Sequence, residues 1–171
     1  MCTGRILDIG GGGEGIIGRL YEERVVAIDR LQSELLETQN RALKLVMDAR
    51  SMSFLPHSFD VVTCFFTLMY LSRADRLSVL QEAWRVLKPG GVLLAWDAEI
   101  PLRADGQPEA YVVSLQVELL DASIRTDYGV RWQGHEQSLS DCLELAELAG
   151  FAVDEATLSG SVFSISLQKP L

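Results

Sequence analysis

The feature that most constrains this chain is a run of glycines near its start, Asp8-Ile9-Gly10-Gly11-Gly12-Gly13-Glu14-Gly15. An apolar stretch at 5–9 precedes it and reads as a strand. A helical pattern at about 14–23 follows. Residues without a Cβ let the backbone turn sharply and let a ligand approach the main chain closely. Gly10, Gly12 and Gly15 also satisfy the spacing G-x-G-x-x-G, and a second apolar run, 25–29, closes on the acidic Asp29. A glycine triplet alone is a weak signal. Placed between strand and helix, with a carboxylate ending the next strand, it points to a bound nucleoside.

The same alternation continues beyond Asp29. A helix is expected over 31–42, with Leu31, Leu35 and Ala42 on one face. Strands follow at 43–48 and 59–65, the second a continuous apolar run suited to burial on both faces. Ser72 with Asp75 marks a helix start. That helix places Leu77, Leu80, Trp84 and Leu87 on one side, carries Lys88 in its last turn and stops at Pro89-Gly90-Gly91. A strand at 92–96 comes next. Strand and helix in repeated succession imply right-handed crossovers and a mostly parallel sheet.

The remaining third is different. Residues 99–110 read as a loop, and 111–119 alternate as a half-buried strand, with Tyr111, Val113, Leu115, Val117 and Leu119 on one face. Tyr128-Gly129 reads as a turn. Ser138 or Ser140 is expected to cap a helix reaching Ala149 and ending at Gly150. Strands at 151–158 and 162–168 then form a hairpin across Ser159-Gly160-Ser161.

Composition narrows the function. A chain of 171 residues is expected to form one domain, 1–171, with an inserted segment at about 99–135. No apolar run is long enough to span a membrane, and no membrane role is expected. Net charge is −9, which argues against nucleic acid as a partner. Cys2, Cys64 and Cys142 are odd in number and scattered, with no metal-ligand spacing. Free thiols suit a reducing cytoplasm, and no metal is expected.

Two nucleoside ligands compete for the glycine loop, a nicotinamide dinucleotide and S-adenosylmethionine. A pyrophosphate would rest on the following helix N-terminus, where Glu14 would repel it, and Asp8 adds a second negative charge. A ligand bearing an ammonium and a sulfonium is better matched to two carboxylates. An NAD(P)-dependent oxidoreductase is further disfavoured because no separate substrate domain is evident.

From here the chain resembles the class I S-adenosylmethionine-dependent methyltransferases, of the small-molecule type. The pieces that carry the resemblance are Ile6-Leu7-Asp8-Ile9-Gly10-Gly11-Gly12, Ala27-Ile28-Asp29, Met47-Asp48-Ala49, Ser58-Phe59-Asp60-Val61-Val62 and the stretch from Glu82 to Gly91. They run in order through residues 6–97. The resemblance implies a doubly wound, Rossmann-like α/β fold with a seven-stranded, mostly parallel sheet whose last strand is antiparallel. It implies that Asp8 and the backbone of Gly10 and Gly12 border the methionine end. Asp29 would take the ribose hydroxyls, with Arg30 flanking the adenine. Asp48 and the backbone N–H of Ala49 would read the adenine. Cys64 and Phe65 would lie beside the methionine portion.

Glu14 stands where the family usually has glycine, and is expected to reshape the loop or touch the ligand. Helices that precede the first strand in the family have no counterpart before Ile6. Their lid is therefore expected to be absent or supplied by a partner subunit. The 99–135 segment is expected to cover the cleft or to pair two copies as a homodimer. The implied reaction moves a methyl group from S-adenosylmethionine to a small-molecule acceptor. The alternative outside catalysis is an S-adenosylmethionine-binding partner subunit. Tyr70, Asp97 and Glu99 are the candidates for acceptor-side chemistry, and His135 is a weaker candidate base.

Overall fold

The computed structural model describes residues 4–119 and 122–171; Cys2 lies outside them. Nine strands and four α-helices are described. Strand β1 is Ile6–Ile9, β2 Val25–Asp29, β3 Leu43–Val46, β4 Phe59–Phe65, β5 Leu87–Ala98, β6 Ala110–Glu118, β7 Ser123–Arg131, β8 Ala152–Ser159 and β9 Val162–Gln168. Helix α1 is Ile16–Tyr21, α2 Gln32–Glu37, α3 Arg73–Val86 and α4 Leu139–Leu148. Seven strands form one sheet in the order β3-β2-β1-β4-β5-β9-β8. Pairings from β3 through β5 are parallel, and β9 runs antiparallel to β5 and to β8. This is the doubly wound Rossmann-like sheet the sequence led us to expect.

The two faces of the sheet are covered by different helices. Leu7, Ile9, Val62, Leu93 and Phe163 pack beneath α3 and α4, meeting Val79, Leu80, Ala83, Leu145 and Ala146. Ile6, Val25, Ala27 and Val61 face α1 and α2 through Ile17 and Leu35. Strand β1, apolar except for Asp8, is buried at all four residues, as a central parallel strand must be. Ser72 caps α3, accepting from Asp75 N–H. Ser138 caps α4 in a reciprocal box with Asp141.

Several boundaries differ from the sequence reading, each for a local reason. Helix α1 begins at Ile16, because Gly13 and Gly15 both hold left-handed backbone (φ 58° and 57°). Glu14 is therefore a loop residue and not part of the first helical turn. Helix α2 stops at Glu37, because Thr38 turns extended and its Oγ1 donates to the Leu35 carbonyl. Leu31 is exposed rather than on the packed face. Helix α3 needs no glycine stop: Leu87 passes directly into β5, and Pro89-Gly90-Gly91 lies within that strand. The end of α3 is capped instead by the buried Lys169, whose Nζ donates to the Trp84 and Leu87 carbonyls at 2.7 and 2.8 Å. Lys88 pairs with Asp60 at 2.7 Å, outside the helix.

The largest difference concerns 123–131. Tyr128-Gly129 is not a turn but the middle of β7, which pairs antiparallel with β6 across the full length of both strands. Together they form a two-stranded ribbon apart from the main sheet. Two strands alone are marginal in water. This pair is held by an apolar face, where Val113, Val130 and Trp132 pack on Phe66, Met69, Ala98 and Ile100.

No helix of the described residues is long and apolar enough to cross a membrane. Arg76, 1% exposed, ties the region together by donating to the carbonyls of Leu68, His135 and Glu136, each at 3.0 Å. Arg76→Met is expected to cost about 3 kcal/mol, since it strands buried carbonyl acceptors. Arg73→Met, which breaks only an exposed pair with Glu144, is expected to cost less than about 1 kcal/mol. Urea denaturation of the two variants checks the contrast.

Candidate functional site

The loops leaving the C-terminal ends of β1, β2 and β4 open on one cleft of about 600 Å³, a size usual for small-ligand sites. Glycine determines its floor. A Cβ on Gly11 would stand 2.7 Å from Asp8 Oδ2, and one on Gly12 3.0 Å from Asp29 Oδ2. The loop thus lays bare backbone between two carboxylates. Its path is fixed by bonds from Gly10 and Gly11 N–H to the Ile28 carbonyl (2.9 and 3.1 Å) and from Gly13 N–H to the Glu34 carbonyl (3.0 Å).

Asp8 is 2% exposed, and Thr63 Oγ1 donates to its Oδ1 at 2.7 Å. Burial pushes its pKa up to about 7, against the pull of Thr63 and with a contribution from the charge on Asp29. Asp29 is half-buried at the end of β2, and one oxygen accepts from Leu31 N–H at 2.9 Å. Arg30 and Ala49 line the cleft. Asp48 lines it too, but its carboxylate is gripped by Arg50, whose side-chain and backbone bonds hold its pKa down at about 2.

Of the residues singled out from the sequence, Asp8, Gly10, Gly12, Glu14, Asp29, Arg30, Asp48, Ala49, Phe65 and Tyr70 are together in this wall. Three are not. Cys64 faces the opposite side of β4 from Phe65, is fully buried in the core beneath α3, and has its thiol pKa pushed up by that burial. Asp97 is also fully buried. It accepts from Met69 N–H, Ala98 N–H and Gln137 Nε2, and burial raises its pKa to about 6 despite those bonds. Glu99 accepts from Leu139 N–H at 3.0 Å and so supports the start of α4. His135 does not line the cleft; its carbonyl serves Arg76.

Sequence reasoning missed Thr67, Glu34, Asp127 and Tyr128, all of which line the cleft. Thr67 Oγ1 donates to the Ile9 carbonyl at 3.0 Å, joining β1 to the loop after β4. Tyr128 and Thr126 were legible in principle. Ile124, Thr126, Tyr128 and Val130 face inward in alternation with exposed Arg125, Asp127 and Gly129, the period of a strand.

The family described as "Methyltransferase domain" matches residues 7–95. The ubiquinone/menaquinone biosynthesis C-methyltransferase UbiE of Dinoroseobacter shibae is 34% identical over 103 residues, covering 53% of this chain and 40% of that protein. Aclacinomycin 10-hydroxylase RdmB of Streptomyces purpurascens is 29% identical over 167 residues, covering 91% of this chain and 42% of that protein. The chain thus spans about two fifths of the length of these relatives. Among solved structures, the S-adenosylmethionine dependent methyltransferase of Mesorhizobium loti superposes with a TM-score of 0.69 at 15% identity, covering 96% of this chain and 90% of that one.

The buried Asp8 gives the site a pH signature. Its folded pKa lies above the ordinary carboxylate value, so the native state holds the proton more tightly than the unfolded chain. Its contribution to stability is therefore lost as pH rises from about 4 to about 7. Asp8→Asn should become more stable relative to the unsubstituted protein across that window, by on the order of 3 kcal/mol, and level off above it. Denaturation at pH 4, 5.5, 7 and 8 measures this. A difference independent of pH would refute the raised pKa.

Proposed function

Because this chain belongs to the methyltransferase domain family, whose class I members use S-adenosylmethionine as cofactor, we propose that it binds S-adenosylmethionine in the cleft and transfers its methyl group to a small-molecule acceptor. The observation that carries this reading is the bare glycine backbone between Asp8 and Asp29, at the C-terminal ends of adjacent strands. A methionine ammonium and a pair of ribose hydroxyls match those two carboxylates in charge and hydrogen bonding. A pyrophosphate does not: Asp8, Glu14, Asp29 and Glu34 all border the loop. Asp48 is engaged by Arg50, which leaves the Ala49 backbone N–H as the better-placed group for the adenine.

S-adenosylmethionine supplies a methyl group already activated by a positively charged sulfur. The chain's own task is then to align the acceptor with that methyl and exclude water. Phe65, Phe66, Tyr70 and Tyr128 wall the remaining end of the cleft. Their apolar surface supports an acceptor small enough to be enclosed. Tyr70 is the acceptor-side residue we retain. Its hydroxyl pKa is raised, first by burial and then by the charge on Asp97, so it is a neutral donor and not a base at neutral pH.

Calorimetric titration with S-adenosylhomocysteine tests the reading. The unsubstituted protein should bind it and not NADH. Asp29→Ala should weaken binding at least about tenfold, the worth of a lost charge-assisted hydrogen bond. Cys64→Ala, altered on the far side of β4, should change it less than about twofold. Binding of NADH alone would sink the proposal.

A further inference from the structure

Glu14 is the one acidic residue of the glycine loop, and both of its oxygens are engaged with a distant part of the chain. Thr126 Oγ1 donates to Oε1, and Tyr128 Oη donates to Oε2 at 2.9 Å. Both donors belong to β7, more than a hundred residues away. On the other side, Val130 packs with Met69 of the 68–70 turn. The Tyr128 ring lies flat on Phe66, with centroids 5.0 Å apart and planes within 9°. Residues 126–130 are thus held to the glycine loop on one side and to the 66–69 segment on the other. Asp127 and Tyr128 form part of the cleft wall between them. Burial opposes the ionisation of Glu14, but the bonds from Thr126, its own N–H and Tyr128 outweigh it and hold its pKa below the usual carboxylate range. The clasp is an ionised acceptor at neutral pH.

We propose that Glu14 is a positioning residue that clasps the β6–β7 ribbon across the mouth of the cleft, and that the ribbon unclasps for the cofactor to pass. The proposal rests on the reading of the cleft as an S-adenosylmethionine site. It gives Glu14 a role other than direct contact with the ligand. The ribbon acts as a lid, and the Tyr128–Phe66 stack it brings helps to shape the acceptor end.

Stopped-flow fluorescence with S-adenosylhomocysteine separates a clasp from a contact, using the chain's own tryptophans; Trp96 stands 6.1 Å from Phe65. In Glu14→Gln, and independently in Tyr128→Phe, association and dissociation should both quicken by about fivefold or more while Kd moves less than about twofold. Faster dissociation alone, with Kd weakened by the same factor in Glu14→Gln and not in Tyr128→Phe, would make Glu14 a ligand contact and overturn the proposal. Unchanged rates would overturn it as well. Should Glu14→Gln not fold, Thr126→Val with Tyr128→Phe opens the clasp from the ribbon side and leaves the loop intact.

Hydrogen exchange reads the clasp without any ligand. Amides of β7 should exchange about tenfold faster in Glu14→Gln, with those of α4 unchanged. If the unsubstituted protein fails to bind S-adenosylhomocysteine, the cofactor reading falls while this measurement still decides the clasp. Equal exchange in the two proteins rejects it.

Discussion

A stretch of main chain with no side chains, set between two carboxylates, is the constraint on which the rest of the structure depends. A Cβ on Gly11 would run into Asp8 and Ala27, and one on Gly12 into Glu34 while crowding Asp29. Keeping Asp8 at the end of β1 requires its burial, and the sheet offsets that cost locally through Thr63 of β4. The parallel order of β2, β1 and β4 is what brings Asp29, Asp8 and the Phe65–Thr67 segment to one edge of the sheet. Ligands of open α/β sheets bind at that edge.

The second determinant is a long-range contact. Among the described residues the β6–β7 ribbon has no third strand, so it owes its place to what its inner face meets. Tyr128 and Val130 lie against Phe66 and Met69, next to the loop that leaves β4. Asp97 and Arg76 hold the 68–70 turn and the 135–137 segment in place from behind. Of these two charged groups, Asp97 was a candidate for chemistry by its place at the strand end, and Arg76 was not singled out from the sequence. Their full burial and complete hydrogen bonding make them supports for the cleft wall, several bonds removed from its interior.

The fold was legible in the sequence where pattern and local chemistry agreed. The apolar runs of β1, β2 and β4, the Ser72 and Ser138 caps and the final hairpin all follow from side-chain periodicity and capping rules. The errors arose where a distant group took over a local role. Pro89-Gly90-Gly91 looked like the stop of α3, but Lys169 caps that helix from the far end of the chain. Gly129 looked like a turn residue, but β6 supplies the pairing that makes it part of a strand. At the site, the glycine loop and its carboxylates were readable because they are contiguous or lie at strand ends. The aim of Cys64 was misjudged by one residue, and a one-residue step in a strand changes the face. The partners of Glu14 could not be read at all, since nothing local joins position 14 to positions 126 and 128.

The account stands or falls on whether one ligand engages the glycine loop, Asp29 and the ribbon together. Amide spectra of labelled protein titrated with S-adenosylhomocysteine test this most directly. The account predicts concerted shifts at Gly10–Gly15, Asp29, Ala49 and residues 126–129, with those around Cys64 and Glu99 nearly still. Shifts confined to another surface, or none at saturating ligand, would contradict it.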